Sequence, residues 1–137
     1  MDITDIAFVR QTGVQIDGDG NLCLDCDETN WNHLQALHAG ALFTLAESAS
    51  ALALLNGFAE LAEQVLPVVR ESQIKYRAPA TSRVTAYANI PQQAVVDFNT
   101  RFKNKRRAVI PVAVTLVDSA QVTIATGLFK WFVQALD

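Results

Sequence analysis

The sequence predicts an α+β protein in which an antiparallel sheet wraps around one long central helix. Three observations predict it. Residues 39–56 are rich in Ala and Leu, contain no Pro and carry apolar side chains on every side. A helix apolar all round is a helix buried all round. Residues 65–77, 83–90, 108–118 and 121–133 alternate in polarity or are rich in β-branched residues, as strands do. Between the two strand pairs, Pro91 opens an extra helix through about residue 104, with Val95, Phe98 and Phe102 at helical spacing on one side. A chain of 137 residues, 50% hydrophobic, suits one domain spanning 1–137 with one core.

Taken in order, residues 2–11 read as a short helix whose apolar part is Ile6, Phe8 and Val9. Residues 14–17 and 22–27 flank Gly18-Asp19-Gly20-Asn21, a turn signal, and form a hairpin. Residues 28–37 are polar and irregular, with Trp31 as the expected anchor. The central helix stops at Asn56-Gly57, a good C-cap pair, and is roughly 27 Å long. In the first long strand Val68, Ile74 and Tyr76 share one face against Glu71, Gln73, Lys75 and Arg77, and Pro79 ends it. In the next, Val84, Ala86, Ala88 and Ile90 alternate with polar neighbours. Asp118-Ser119-Ala120-Gln121 turns the final hairpin.

The net charge of −3 hides a split. Residues 1–66 hold ten carboxylates and one base, Arg10, a net of −9. Residues 67–137 hold four carboxylates and ten bases, a net of +6, and five of those bases fall within 101–107. An acidic chain without an aromatic-interleaved basic stretch does not predict nucleic-acid binding. The start, Met1-Asp2-Ile3-Thr4-Asp5, is acidic where a secretory signal would be basic. Residues 39–55 carry Glu47 and read as too short for a membrane span. A cytoplasmic protein without a membrane partner is expected.

Glu47 is the one ionisable residue in the central helix. A buried carboxylate is costly unless paired, hydrogen-bonded or functional. Burial raises its pKa towards that of a general base or acid. The alternative is a structural partner at a gap in the sheet. Just before the helix, Asn32-His33-Leu34-Gln35-Ala36-Leu37-His38-Ala39-Gly40 offers polar side chains and open backbone amides suited to an oxyanion, or to caps and loop bonds. Ala39 and Glu47 are eight residues apart, about 12 Å along a helix. Amide and carboxylate of one chain therefore do not easily meet on one carbonyl, so a site using both takes them from two subunits.

Cys23-Leu24-Asp25-Cys26 with His33 and His38 composes a Cys2His2 set. Its spacing is tighter than a zinc finger's, and cysteines three apart on a strand face opposite sides. No metal is expected, and both thiols are read as buried and reduced.

Asn32, then His38-Ala39-Gly40-Ala41-Leu42-Phe43-Thr44-Leu45-Ala46-Glu47, resembles the pattern of hotdog-fold acyl-CoA thioesterases of the phenylacetyl-CoA branch. That pattern is Asn, five residues, His-Gly-Gly, then Asp or Glu eight residues after the first Gly. Residues 72–80 and Ala125-Thr126-Gly127 fit the same family. The resemblance implies a hotdog fold and hydrolysis of a CoA thioester, with coenzyme A arriving only as part of the substrate. Glu47 would be general base or nucleophile. The amide of Ala39 or Gly40 in the other subunit would polarise the carbonyl, while Asn32 and His38 position thioester or water. Leu42 and Phe43 would line the acyl pocket, and Lys105, Arg106 and Arg107 would meet the CoA phosphates. The functional unit would be an obligate homodimer or homotetramer. Two departures stand out: Ala39 replaces the first Gly, and Glu47 replaces the commoner Asp. The same superfamily offers two alternatives, a non-catalytic acyl-CoA-binding domain and a (3R)-hydroxyacyl dehydratase or hydratase using His33 and Glu47.

Overall fold

The computed structural model describes residues 1–137. A six-stranded antiparallel sheet curls around one helix, in the strand order β1-β2-β4-β5-β6-β3. Its strands are β1 (Gln15–Ile16), β2 (Leu22–Leu24), β3 (Val65–Tyr76), β4 (Val84–Asn89), β5 (Arg107–Asp118) and β6 (Thr123–Ala135). The helices are α1 (Ala7–Thr12), α2 (Ala39–Gly57) and α3 (Gln92–Lys105). The α+β class, the central helix and the extra helix after Pro91 are all as the sequence predicts.

The turns follow from their residues. Asp17 accepts the N–H groups of Asp19 and Asn21, while Gly20 supplies a φ of 84°. Asp118 likewise accepts from Ala120 and Val122, with Gln121 at φ 66°. Inward rows of β5 and β6, among them Ile110, Val112, Val114, Leu116, Ile124 and Phe129, are fully buried against α2. Each such side chain contributes roughly 1.5–3 kcal/mol. Helix α3 docks through Phe98, which stacks between Phe58 (4.9 Å) and Phe102 (5.3 Å). Pro111 in β5 lies beyond Asn89–Ala113, the last β4–β5 pair, so its missing N–H deprives no neighbour on that side.

Five expectations are corrected. Residues 2–11 are two pieces, a 3-10 turn at Ile3–Asp5 and α1, because a six-residue helix has too few internal bonds to extend itself. Phe8 is 65% exposed and only Ile3 and Val9 anchor the segment. Trp31 is 40% exposed and does not anchor its loop. Buried Asn30 does, donating to the Asp25 carbonyl and accepting from the Asp27 N–H. In β3 the register shifts between Val69 and Glu71, so Val68 faces outward opposite Phe132 while Ile74 faces inward. One extra residue reverses every later side chain. Helix α2 runs through Gly57, and Phe58 caps it. Its 19 residues are long and apolar enough by length and composition to cross a bilayer, but here that apolar surface lies on β4 and β5.

The fifth correction concerns α2 itself. It is not enclosed on every side, because one chain's sheet covers only part of its circumference. Gly40 is exposed, and Glu47, Ala51 and Leu55 are half-buried. At spacings of seven, four and four these residues form one stripe along the helix.

Candidate active site

The loop before α2 is built by Asn32. Its Oδ1 accepts the N–H groups of Leu34 (2.8 Å) and Ala36 (3.1 Å), around Gln35 at φ 59°. Main-chain bonds then tie Leu37 to the Ala80 carbonyl and His38 to the Asn30 carbonyl. The chain enters α2 at a fixed angle, with His38 as N-cap. Its Nδ1 accepts the Gly40 N–H at 2.8 Å. A Cβ at Gly40 would stand 3.1 Å from that nitrogen, so the His38 ring would have to give by a few tenths of an ångström. The Ala39 methyl is exposed and meets no such limit.

Two clefts flank this first turn. One is lined by Asn32, Leu37, Ala39, Leu42, Tyr76 and Arg77, among others. It unites Asn32, Ala39 and Leu42 of the predicted site. The other is lined by Phe8, Trp31, His38, Gly40, Ala41 and Thr44, among others. Its lining contains no Asp, Glu, Lys or Arg. Phe43 sits between helix and sheet, edge-on to Phe129 at 5.7 Å.

Glu47 lies two turns further along the open stripe. No ion pair or side-chain hydrogen bond engages its carboxylate, and burial alone pushes its pKa up. Its turn of helix is tied to the sheet. Ser50 Oγ donates to the Glu47 carbonyl (2.7 Å) and accepts from Trp131 Nε1 (2.9 Å), a buried pin between α2 and β6. Because α2 is unbroken from Ala39 to Glu47, the rise of about 12 Å holds.

Lys105, Arg106 and Arg107 lie at the opposite end, where α3 meets β5 beside the C-terminus of α2. Arg106 caps α3 at φ 60° and pairs with Asp137 at 2.9 Å. One chain thus does not bring the basic cluster to the His38 turn. His33 is exposed on the loop, and Cys23 is buried where desolvation pushes its thiol up. Cys26 is only half-buried, which corrects the expectation of two buried thiols. No three His, Cys, Asp or Glu side chains are grouped so as to hold a metal ion.

Two contacts escape sequence reasoning. The Tyr76 hydroxyl donates to the Ala39 carbonyl at 3.0 Å, and Arg77 Nε donates to Thr126 Oγ1 at 3.2 Å. Tyr76 is 37 positions from Ala39 and reads in sequence only as one more alternating strand residue.

The profile of a family described as a domain of unknown function, DUF4442, matches residues 17–133. No curated protein matches the chain. Among solved structures, a Chlorobaculum tepidum protein of unknown function is similar at a TM-score of 0.80 and 24% identity, over 97% of this chain and 90% of that one. A thioesterase from Haemophilus influenzae is similar at 0.74 and 18%, over 98% and 87%. A Bacillus halodurans protein solved with CoA is similar at 0.69 and 22%, over 96% and 85%. These likenesses show the hotdog fold.

Proposed function

The chain belongs to the DUF4442 family, and from that premise and the site we propose that it is an acyl-CoA thioesterase working as a homodimer. The observation that carries the reading is Glu47: a half-buried carboxylate without a partner, on the open stripe of α2. The thioesterase name of one similar structure and the CoA in another point to the same chemistry.

In this reading Glu47 of one subunit activates water, or attacks the thioester carbonyl itself. The Ala39 amide at the partner's helix N-terminus polarises the carbonyl oxygen. The open stripe of α2 and the long edge strand β3 supply a dimer surface; the other sheet edge, β1, has two residues. Lys105 and Arg107 would take the CoA phosphates. From Glu47 to the C-terminus of α2 is ten residues, about 15 Å. The pantetheine arm matches about four residues of extended backbone, roughly 14 Å.

The test is CoA release from a panel of short, long and aromatic acyl-CoA esters. Glu47→Gln is expected to abolish turnover, by 10³-fold or about that, while leaving the dimer folded. Undiminished turnover in the variant overturns the role of Glu47. Tight CoA binding without turnover in the wild type would establish the acyl-CoA-binding alternative, and hydration of an enoyl thioester without CoA release would establish the hydratase.

A further inference from the structure

One peptide unit at the start of α2 is gripped at both ends. Its oxygen, the Ala39 carbonyl, accepts the Tyr76 hydroxyl at 3.0 Å. Its hydrogen, the Gly40 N–H, is donated to His38 Nδ1 at 2.8 Å. The peptide is planar by resonance, so holding oxygen and hydrogen fixes its whole plane.

The two bonds also act in series. A donor on the carbonyl oxygen polarises the amide and strengthens the N–H as a donor in turn. The imidazole at the end of the series is constrained chemically. Nδ1 accepts, so it carries no proton, and the neutral ring carries its proton on Nε2. His38 lines the uncharged cleft together with Phe8, Trp31 and Gly40, and Gly40 begins the stripe of α2 that leads to Glu47. Gly40 has meanwhile committed its N–H to His38. The Ala39 N–H, first in the helix, has no intrahelical acceptor.

We propose that Tyr76 is a positioning residue of the thioester site, acting through the Ala39–Gly40 peptide to hold His38 with Nε2–H presented to the thioester carbonyl oxygen. This rests on the hydrolase reading and names how its electrophilic half is set. Ala39 N–H and His38 Nε2–H are the two donors to the oxyanion, and the Gly40 amide serves to orient the ring. Tyr76 touches no reacting atom.

Two variants and a spectrum test this. Serine caps helices as well as any residue, so His38→Ser keeps the Gly40 N–H bonded and removes only the ring donor. Tyr76→Phe removes one hydroxyl from a side chain that is 45% exposed. Nitrogen NMR of the wild type is expected to show His38 Nδ1 bare and Nε2 protonated, with the Nδ1 resonance moved in Tyr76→Phe. Tyr76→Phe should lower kcat about 3- to 10-fold with KM and dimer mass unchanged. His38→Ser should lower kcat about 10²-fold. A proton on Nδ1, or either variant at wild-type kcat, overturns the proposal while the hydrolase reading stands. A wild-type protein that releases CoA from no thioester overturns both.

Discussion

Glu47 couples the site to the stability of the fold. Burial raises its pKa above the ordinary 4.5, so the folded chain holds that proton more tightly than the unfolded chain. The ionised carboxylate is therefore a stability cost. The cost is absent below pH 4.5, grows as pH rises from there to the raised value, and is complete above it. Glu47→Gln is predicted to melt a few degrees above the wild type at pH 8, with the difference vanishing near pH 4. Thermal melts at the two pH values check it, and a variant less stable than wild type at pH 8 would refute it. The same shift predicts that turnover falls on the acid side at a pH above the usual carboxylate range. Glu47 was visible in the sequence because it is the one charge in an apolar run. Tyr76 was not, since nothing local marks a hydroxyl that finds its acceptor 37 positions away.

Among the elements, α2 and α3 were legible because their signals are local: composition for one, and a helix-opening Pro with three apolar residues at helical spacing for the other. Helix α3 is held mainly by Phe98, fully buried between Phe58 and Phe102. Phe98→Ala is predicted to destabilise the fold by about 3–5 kcal/mol. Denaturant unfolding measures this, and a loss under 1 kcal/mol would mean that α3 is docked some other way. Strand β3 was legible as a strand but not in its faces. Its shift at Arg70 is set by pairing with β6, where Arg70 lies over the Phe132 ring at 4.2 Å. The hairpin turn was read from Gly18-Asp19-Gly20-Asn21, yet its strands are shorter than the polarity pattern indicated. Edge pairing stops where partners run out rather than where the pattern does.

At the scale of the whole molecule, the five bases of residues 101–107 lie away from the His38 turn, whose neighbouring cleft is lined by one base, Arg77. The His38 turn has no basic cluster within its own chain, and Lys105 and Arg107 stand at the far end of α2. A Lys105→Gln, Arg107→Gln double variant is predicted to raise KM about tenfold for an acyl-CoA and to leave it unchanged for the matching acyl-pantetheine, which lacks phosphates. Equal effects on both esters, or on neither, would show that these bases do not read the phosphates. Arg106 is the poorer candidate, being tied to Asp137.

The sequence by itself determined the class of fold, the helix at its centre and the acid on that helix, because composition, period and a lone charge are properties of neighbours along the chain. It also determined that one chain carries amide and carboxylate about 12 Å apart, since helical rise is fixed. Only the tertiary structure decided which face of α2 stays open, that Gly40 gives its N–H to His38, and that Tyr76 closes the clamp from β3. Those depend on how far one sheet reaches around one helix and on the register of strands far apart in sequence, neither of which is written in a local pattern.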